Sequence, residues 1–323
     1  MKSILEILAG GEYVSGEAIS RELGISRAAV WKKIVALRET GWQIESGGKR
    51  GYRLVAGDGL EPALWANLLT TQRYGRGENR YEQVVNSTNT AAKQMALADA
   101  PDGSLCIAES QTAGKGRLGR VWSAPAGQGL WISMLLRPHL PPERAPLITF
   151  CAAMAMARAV RETAIIDVRI KWPNDLVADK RKLCGILLES SMDPDSIEYV
   201  VVGTGLNVYK GAYPPELDGH AVAIEELVSD VPPLRREILV RYLAALEELV
   251  DRLEKFGFQG IAEDYRALSC TLGSEVRVFG AVELTGVAED ISETGALLVR
   301  TEDGAAHWVM SGDVSVRGMM GYV

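Results

Sequence analysis

Gln111-Thr-Ala-Gly114-Lys115-Gly116-Arg117-Leu-Gly119-Arg120-Val-Trp122-Ser123 decides between two kinds of fold. Its Gly114-x-Gly116-x-x-Gly119 spacing matches the dinucleotide-binding fingerprint, in which the third glycine sits in the first turns of a helix. Here Pro125, Gly127 and Gly129 follow closely, and the next apolar run, residues 130–137, reads as a strand. That strand ends in Arg137-Pro138, with no acidic residue to take a ribose hydroxyl. The segment is therefore a glycine-rich loop bearing three cations, Lys115, Arg117 and Arg120. Backbone amides in such a loop approach an anion closely, and arginines offer fixed forks to carboxylate or phosphate oxygens. A solvated basic loop is the plainer reading, but it leaves unexplained Trp122, whose face could pack on a base. No GxxxxGK[ST] loop occurs, so a nucleotide site here is of another type.

Outward from the loop, residues 105–109, 165–171, 183–189 and 199–203 also read as strands, and 89–98, 147–161 and 234–253 as helices. The strands are not regularly interleaved with helices, which predicts an α+β fold rather than a doubly wound one. Lys171-Trp172-Pro173-Asn174-Asp175 ends one strand in a turn that ordinary turn propensity would also explain. Lys182-Leu-Cys184-Gly185 places a lysine at the mouth of another strand, and Gly203-Thr-Gly205-Leu-Asn207 closes a third with an amide. From Leu272 the texture changes. Residues 275–279, 283–289, 297–300, 307–310 and 314–317 are short strands separated by Gly and Asp turns, the pattern of a small β-barrel.

The N-terminal segment reads as three helices and a hairpin. Ile4, Leu5, Ile7 and Leu8 have helical spacing, and residues 15–23 form a second helix with Ala18, Ile19 and Leu23 on one face. Gly24 suits a helix C-terminus, and Ser26 suits capping the next helix. There Val30, Ile34 and Leu37 face inward, while Arg27, Ala28, Trp31 and Lys32 share an outer face. Residues 43–46 and 52–55 are strands joined by Gly47-Gly48-Lys49-Arg50, completing the layout of a winged helix-turn-helix. The outer face suits a major groove, and Lys49 and Arg50 suit phosphate. Between Arg21 and Arg53 there are eight basic and three acidic residues, whereas the whole chain carries −7. That local excess favours DNA over a helical protein-interaction module. Residues 56–59, Ala-Gly-Asp-Gly, read as a linker.

With 323 residues, 47% apolar and 24% charged, the chain has the composition of a soluble globular protein of two or three domains. No apolar run is long enough for a membrane span, and the N-terminus lacks a signal-peptide pattern, so a cytoplasmic location is expected. Four separated cysteines, Cys106, Cys151, Cys184 and Cys270, fit neither a zinc site nor a redox pair. Three histidines without metal spacing predict no structural metal.

Ser87-Thr88-Asn89, the loop from Gly114 to Arg120, the Lys-Trp-Pro-Asn-Asp turn, and the segments at 182–185 and 203–207 occur in one order and spacing. Together they resemble the biotin–protein ligases. Ser26-Arg-Ala-Ala-Val30 and the C-terminal strands resemble the members that double as biotin operon repressors. The resemblance implies a winged helix-turn-helix over 1–57. It also implies a class II synthetase-like mixed-sheet catalytic domain over 60–270 and an SH3-like barrel over 271–323. It further implies that the biotin carboxylate attacks the α-phosphate of Mg-ATP to give biotinyl-adenylate, after which a lysine of a biotin carboxyl carrier protein displaces AMP. Neither step needs a protein nucleophile.

By that resemblance Ser87, Thr88, Asn89, Gln111, Gly114, Lys115, Arg117, Lys182 and Gly185 would surround biotin. Arg117, Arg120, Trp122, Ser123, Lys171, Asn174, Lys182 and Asn207 would border ATP. Arg117 and Lys182 would act on the reacting carboxylate and phosphate, and Asp175 would orient the incoming lysine. Ser26, Arg27, Ala28, Trp31, Lys32, Lys49 and Arg50 would meet operator DNA, with a homodimer forming when adenylate is bound. The ligands of Mg²⁺ stay unassigned. Lys115 stands where the family often has Arg, and Cys184 where Ala is more usual; its thiol is expected to be buried and inert. Lipoate ligases share the catalytic fold but resemble one another through Arg-Arg-x-Ser-Gly-Gly-Gly, of which Ser46-Gly47-Gly48-Lys49 is only an echo. The other readings are a ligase whose N-terminal domain does not bind DNA and a biotin sensor without catalysis; the number of phosphate-reaching cations disfavours the sensor.

Overall fold

The computed structural model describes residues 3–8, 12–39, 42–56, 58–229, 232–280, 283–310 and 312–316. The chain divides into two compact units, one of Met1–Leu69 with Leu234–Glu237 and one of Thr70–Pro233 with Ile238–Val323.

In the first unit α1 (Ile4–Leu8), α2 (Gly16–Leu23) and α3 (Arg27–Glu39) precede a hairpin of β1 (Gln43–Ser46) and β2 (Tyr52–Ala56). The expected punctuation is in place. Ser15 Oγ accepts from the Ala18 amide at 3.1 Å, and Gly24 closes α2 at φ 65°, a left-handed conformation that glycine adopts without strain. Ser26 Oγ accepts from the Ala29 amide at 3.2 Å to start α3. Leu8, Ile19, Val30, Ile34 and Ile44 form the core. Ile34→Ala is expected to cost this unit about 2–5 kcal/mol, read as faster hydrogen exchange across residues 16–39. The stretch read as a linker is packed where it is described. Asp58 Oδ2 accepts from Arg235 Nε at 2.5 Å, Gly59 lies against the Trp42 ring, and Leu60 is fully buried. Gly57 lies outside the described residues.

The second unit is built on β3 (Asn79–Val85), α4 (Thr88–Leu97), β4 (Ser104–Gln111), β5 (Gly129–Leu136), α5 (Leu147–Ala164), β6 (Arg169–Lys171), β7 (Asp175–Ala178), β8 (Arg181–Met192) and β9 (Ile197–Asn207). Its seven strands run in the order β3-β4-β5-β9-β8-β7-β6. Only β3 and β4 pair in parallel; every other neighbour is antiparallel, so the sheet is mixed and the class α+β. Helix α4 packs on β4, β5 and β9 through Ala92, Met95 and Ala96, and α5 lies against β6 to β9. The helices α6 (Arg235–Phe256) and α7 (Ala262–Leu268) follow. Tyr242 of α6 reaches Thr204 of β9 at 3.1 Å, and Tyr265 of α7 stacks on Phe150 of α5 with ring centres 4.1 Å apart.

One expected strand is shorter than its apolar run. Residues 165–171 were to be extended, but α5 continues to Ala164 and β6 begins only at Arg169. Ile165 takes φ 55° and donates its amide to Arg161 O, so backbone capping decides its conformation, and its side chain is 91% exposed. Likewise Asp175 does not end a turn; it opens β7, pairing across to Gly185.

The chain closes in β10 (Glu275–Phe279), β11 (Leu284–Ile291), β12 (Leu297–Arg300), β13 (Ala306–Val309) and β14 (Asp313–Val316). They form an antiparallel five-stranded sheet in the order β13-β12-β11-β10-β14. Val276, Val278, Ala288, Leu297, Val299 and Val314 are buried on one side. Arg317, expected in the last strand, lies outside the described residues.

Candidate active site

The N-terminus of α4, the ends of β4, β8 and β9, and the glycine-rich loop surround a cavity of about 300 Å³. At one end Ser87, Thr88 and Asn89 are almost fully buried as α4 begins. Gln111, the last residue of β4, accepts the Thr88 amide on Oε1 at 2.8 Å and the Thr88 hydroxyl at 3.1 Å. The Ser133 hydroxyl of β5, itself fully buried, donates toward Thr88 Oγ1 at 2.7 Å and Asn89 Oδ1 at 2.6 Å. Asn89 Nδ2 then donates to Glu189 Oε2 at 2.8 Å, and Glu189 pairs with Lys93. Burial pushes the Glu189 carboxyl up, but the bonds from Lys93 and Asn89 outweigh it and hold the group below its ordinary range.

The loop folds back on itself. Trp122 N donates to Gly114 O at 2.9 Å, Gly116 N to Arg120 O at 2.7 Å, and a tight turn spans Arg117–Gly119. It is not the start of a helix. Arg117 Nη1 donates to Asn174 Oδ1 at 3.1 Å and to Gly312 O at 3.2 Å. Lys115 Nζ donates to Thr90 Oγ1 at 3.2 Å.

Trp122 forms another part of the cavity wall. Its ring meets Trp131 edge-on at 6.3 Å and rests on bare β9 backbone, where a Cβ at Gly205 would stand 2.5 Å from Trp122 Nε1. Only glycine allows that approach. Lys182 Nζ lies 5.2 Å from the Trp122 ring centre and 2.8 Å from Asp175 Oδ1. The latter contact misses hydrogen-bond geometry, so it is an ion pair without a formed bond. Lys171 is buried on the same wall, and Asn174 Nδ2 donates to Ile186 O at 2.8 Å. The Lys-Trp-Pro-Asn-Asp turn is held from below: Trp172 N donates to Thr271 Oγ1 at 2.9 Å and Trp172 Nε1 to Gly295 O at 3.0 Å.

The wall thus brings together Lys115, Arg117, Arg120, Lys171, Lys180 and Lys182 against one carboxylate, Asp175. That balance suits a polyanionic ligand, and the low-dielectric floor strengthens it. Three expected site residues are not on the wall. Gly114 contributes its backbone to the loop, and Ser123 follows Trp122 behind the cavity. Asn207 is buried at the end of β9, with Nδ2 donating to Val222 O at 3.2 Å. Cys184 is buried, and desolvation pushes its thiol far above the ordinary range. Ser133, Glu189, Lys180 and His220 were not anticipated. Ser133 and Glu189 could have been found as polar residues interrupting apolar runs; Lys180 and His220 sit in turns that offer no such signal. Among the described residues no group of three or more His, Cys, Asp or Glu could hold a metal ion, and no helix is long and apolar enough to cross a membrane.

On the first unit Arg27, Ala28 and Lys32 are exposed along α3, with Trp31 55% exposed among them; Lys49 and Arg50 are exposed on the hairpin turn. Arg50 stacks 4.1 Å from the centre of the Tyr13 ring.

Residues 81–207 match the biotin/lipoate A/B protein ligase family, residues 1–53 an HTH domain and residues 271–317 the biotin protein ligase C terminal domain. The chain is 34% identical over 312 residues to the bifunctional ligase/repressor BirA of Bacillus subtilis, covering 94% of each chain. To the protein of the same description from Escherichia coli it is 32% identical over 321 residues, covering 97% of this chain and 96% of that one. Biotin protein ligase from Aquifex aeolicus, solved in complex with biotin and ATP, matches with TM-score 0.63 and 28% identity, over 74% of this chain and 98% of that one. The chain belongs to the biotin protein ligases, in the branch of bifunctional ligase/repressors that carry an N-terminal helix-turn-helix.

Proposed function

We infer that the protein makes biotinyl-5′-AMP from biotin and ATP, transfers biotin to a lysine of a biotin carboxyl carrier protein, and represses transcription in response to biotin. The observation that supports the ligase reading best is a single cavity that joins the buried polar start of α4 to a wall of lysines and arginines beside Trp122. Ser87, Thr88, Asn89, Gln111 and the backbone at Gly114 and Gly185 hold the ureido ring, with Lys115 closing over it. The biotin carboxylate then points toward Arg117 and Lys182. These two cations bring carboxylate and α-phosphate together against their repulsion and stabilise the charge that builds as they react. Arg120 and Lys171 take the outer phosphates and Trp122 and Asn174 border the nucleoside, with Ser123 and Asn207 adjoining that wall rather than lining it. Asp175 orients the incoming amine. Incubation with biotin, ATP, Mg²⁺ and a carrier domain tests this reading: covalent biotin on one acceptor lysine supports it, and an unmodified acceptor contradicts it.

One carboxylate and an amide suit a Mg²⁺ ion that arrives on the phosphates rather than one held in a protein cage. The ion would neutralise phosphate charge, with Asp175 and Asn174 nearest to it. Gly205→Ala is expected to displace Trp122 and raise the KM for ATP about tenfold, while the Kd for biotin measured without ATP stays unchanged; calorimetry and exchange kinetics separate the two.

The division into residues 1–57, 60–270 and 271–323 gives each activity its own part, with the last five strands read as an SH3-like barrel. Ser26, Arg27, Ala28, Trp31 and Lys32 enter a major groove, where the Arg27 and Lys32 cations also reach the flanking phosphates, while Lys49 and Arg50 contact phosphate from the hairpin. Adenylate binding favours a homodimer, whose paired helices read two half-sites; carrier and operator together place the protein in the cytoplasm. Selection from a random duplex pool should enrich a two-fold sequence only when biotin and ATP are both present. Enrichment that ignores them contradicts the corepressor role.

A further inference from the structure

A chain of polar side chains runs from the surface to the floor of the biotin end. Lys93 pairs with Glu189, Glu189 accepts from Asn89 Nδ2 at 2.8 Å, and Asn89 Oδ1 and Thr88 Oγ1 share the hydroxyl of Ser133 at 2.6 and 2.7 Å. Only Thr88 and Asn89 of these five line the cavity. Asn89 packs into the space that the absent side chain of Gly203 leaves, its Oδ1 lying 1.9 Å from where a Cβ there would stand. Its other Nδ2 contact, to Leu187 O at 3.4 Å, is long. The carboxylate of Glu189 is thus the strong partner that sets the rotation of the Asn89 amide, because charge-assisted bonds are about twice as strong as neutral ones. A fixed Asn89 Oδ1 in turn fixes Ser133, and Ser133, donating to Thr88 Oγ1 while Gln111 Oε1 accepts from it, fixes the Thr88 hydroxyl on the cavity wall.

We propose that Glu189 is a positioning residue for biotin, acting through Asn89 and Ser133 on the Thr88 hydroxyl, with Lys93 anchoring the carboxylate. The inference rests on the biotin reading of this cavity and deepens it. Removing the charge leaves the buried amide without its strong acceptor, so the ureido-facing hydroxyl samples orientations that do not meet the ring. The loss falls on biotin rather than on ATP, because Arg120 and Lys171, which take the outer phosphates, stand outside this chain of contacts.

The test is kinetic and calorimetric, using the full chain with Glu189→Gln, which preserves shape. The KM for biotin in ATP–pyrophosphate exchange and the Kd for biotin alone should both rise about tenfold, the size of one such bond, with kcat and the KM for ATP unchanged. Ser133→Ala, cutting the chain at its middle, should give the same split, and the double variant should be no worse than the more impaired single one. Unchanged biotin constants in Glu189→Gln would overturn the proposal. So would additive losses in the double variant, or a parallel fall in kcat, ATP affinity and Tm that marks a merely structural role. If the wild-type chain itself shows no biotin-dependent exchange, the biotin reading fails first and the inference with it.

Discussion

Lys182→Ala is expected to slow biotinyl-adenylate formation by about 10²–10³-fold, the usual consequence of removing one donor aimed at developing charge. Lys182 is poised for that role. Its ammonium is held between the Trp122 face and Asp175 Oδ1. An ammonium already placed among the cations of this wall has only a short way to move to meet a phosphate. The deficit should appear in single-turnover chemistry and exceed the loss of biotin affinity that follows from removing its contact to the biotin carboxylate. Asp175→Asn should do the reverse, leaving adenylation largely intact and slowing transfer to the acceptor. A Lys182→Ala chain with the wild-type single-turnover rate would remove Lys182 from the mechanism.

The second large effect is expected on DNA. Replacing Arg27 and Lys32 together by Ala should flatten the salt dependence of operator binding by about two units of slope per subunit engaged, since each phosphate contact contributes about 0.9. At physiological salt the affinity should fall by one to two orders of magnitude, about what two lost phosphate contacts cost. Both side chains are exposed on α3 and take no part in the core formed by Val30 and Ile34. Adenylation by the same variant should match wild type, because neither residue lines the cavity and both belong to the other compact unit. Parallel loss of DNA binding and ligation would mean that the substitutions act through stability instead.

Much of the first unit was legible because its signals are local. Ser15, Gly24 and Ser26 act through their own backbone neighbours, so a cap read from sequence is a cap in the fold. Strands β5 and β9 were legible for another reason: burial on both faces makes a largely apolar run. Strand β3, Asn79–Val85, shows no such run because it lies at the sheet edge with much of its length exposed, and its pairing with β4 is what makes it a strand. Ile165 misled in the opposite direction, an apolar residue placed in solvent by the left-handed end of α5. The loop cations and the Lys-Trp-Pro-Asn-Asp turn stood out in sequence as charged residues beside glycine and proline. Ser133 and Glu189 did not, because their meaning lies in contacts 44 and 100 residues away in the chain.

ATP–pyrophosphate exchange, run with biotin, with lipoate and with neither, tests the central claim most directly. The account predicts exchange that depends on biotin and is absent with lipoate, because the α4 end of the cavity offers Ser87, Thr88 and Gln111 to a polar ring. Exchange with lipoate alone, or with neither acid, would contradict it.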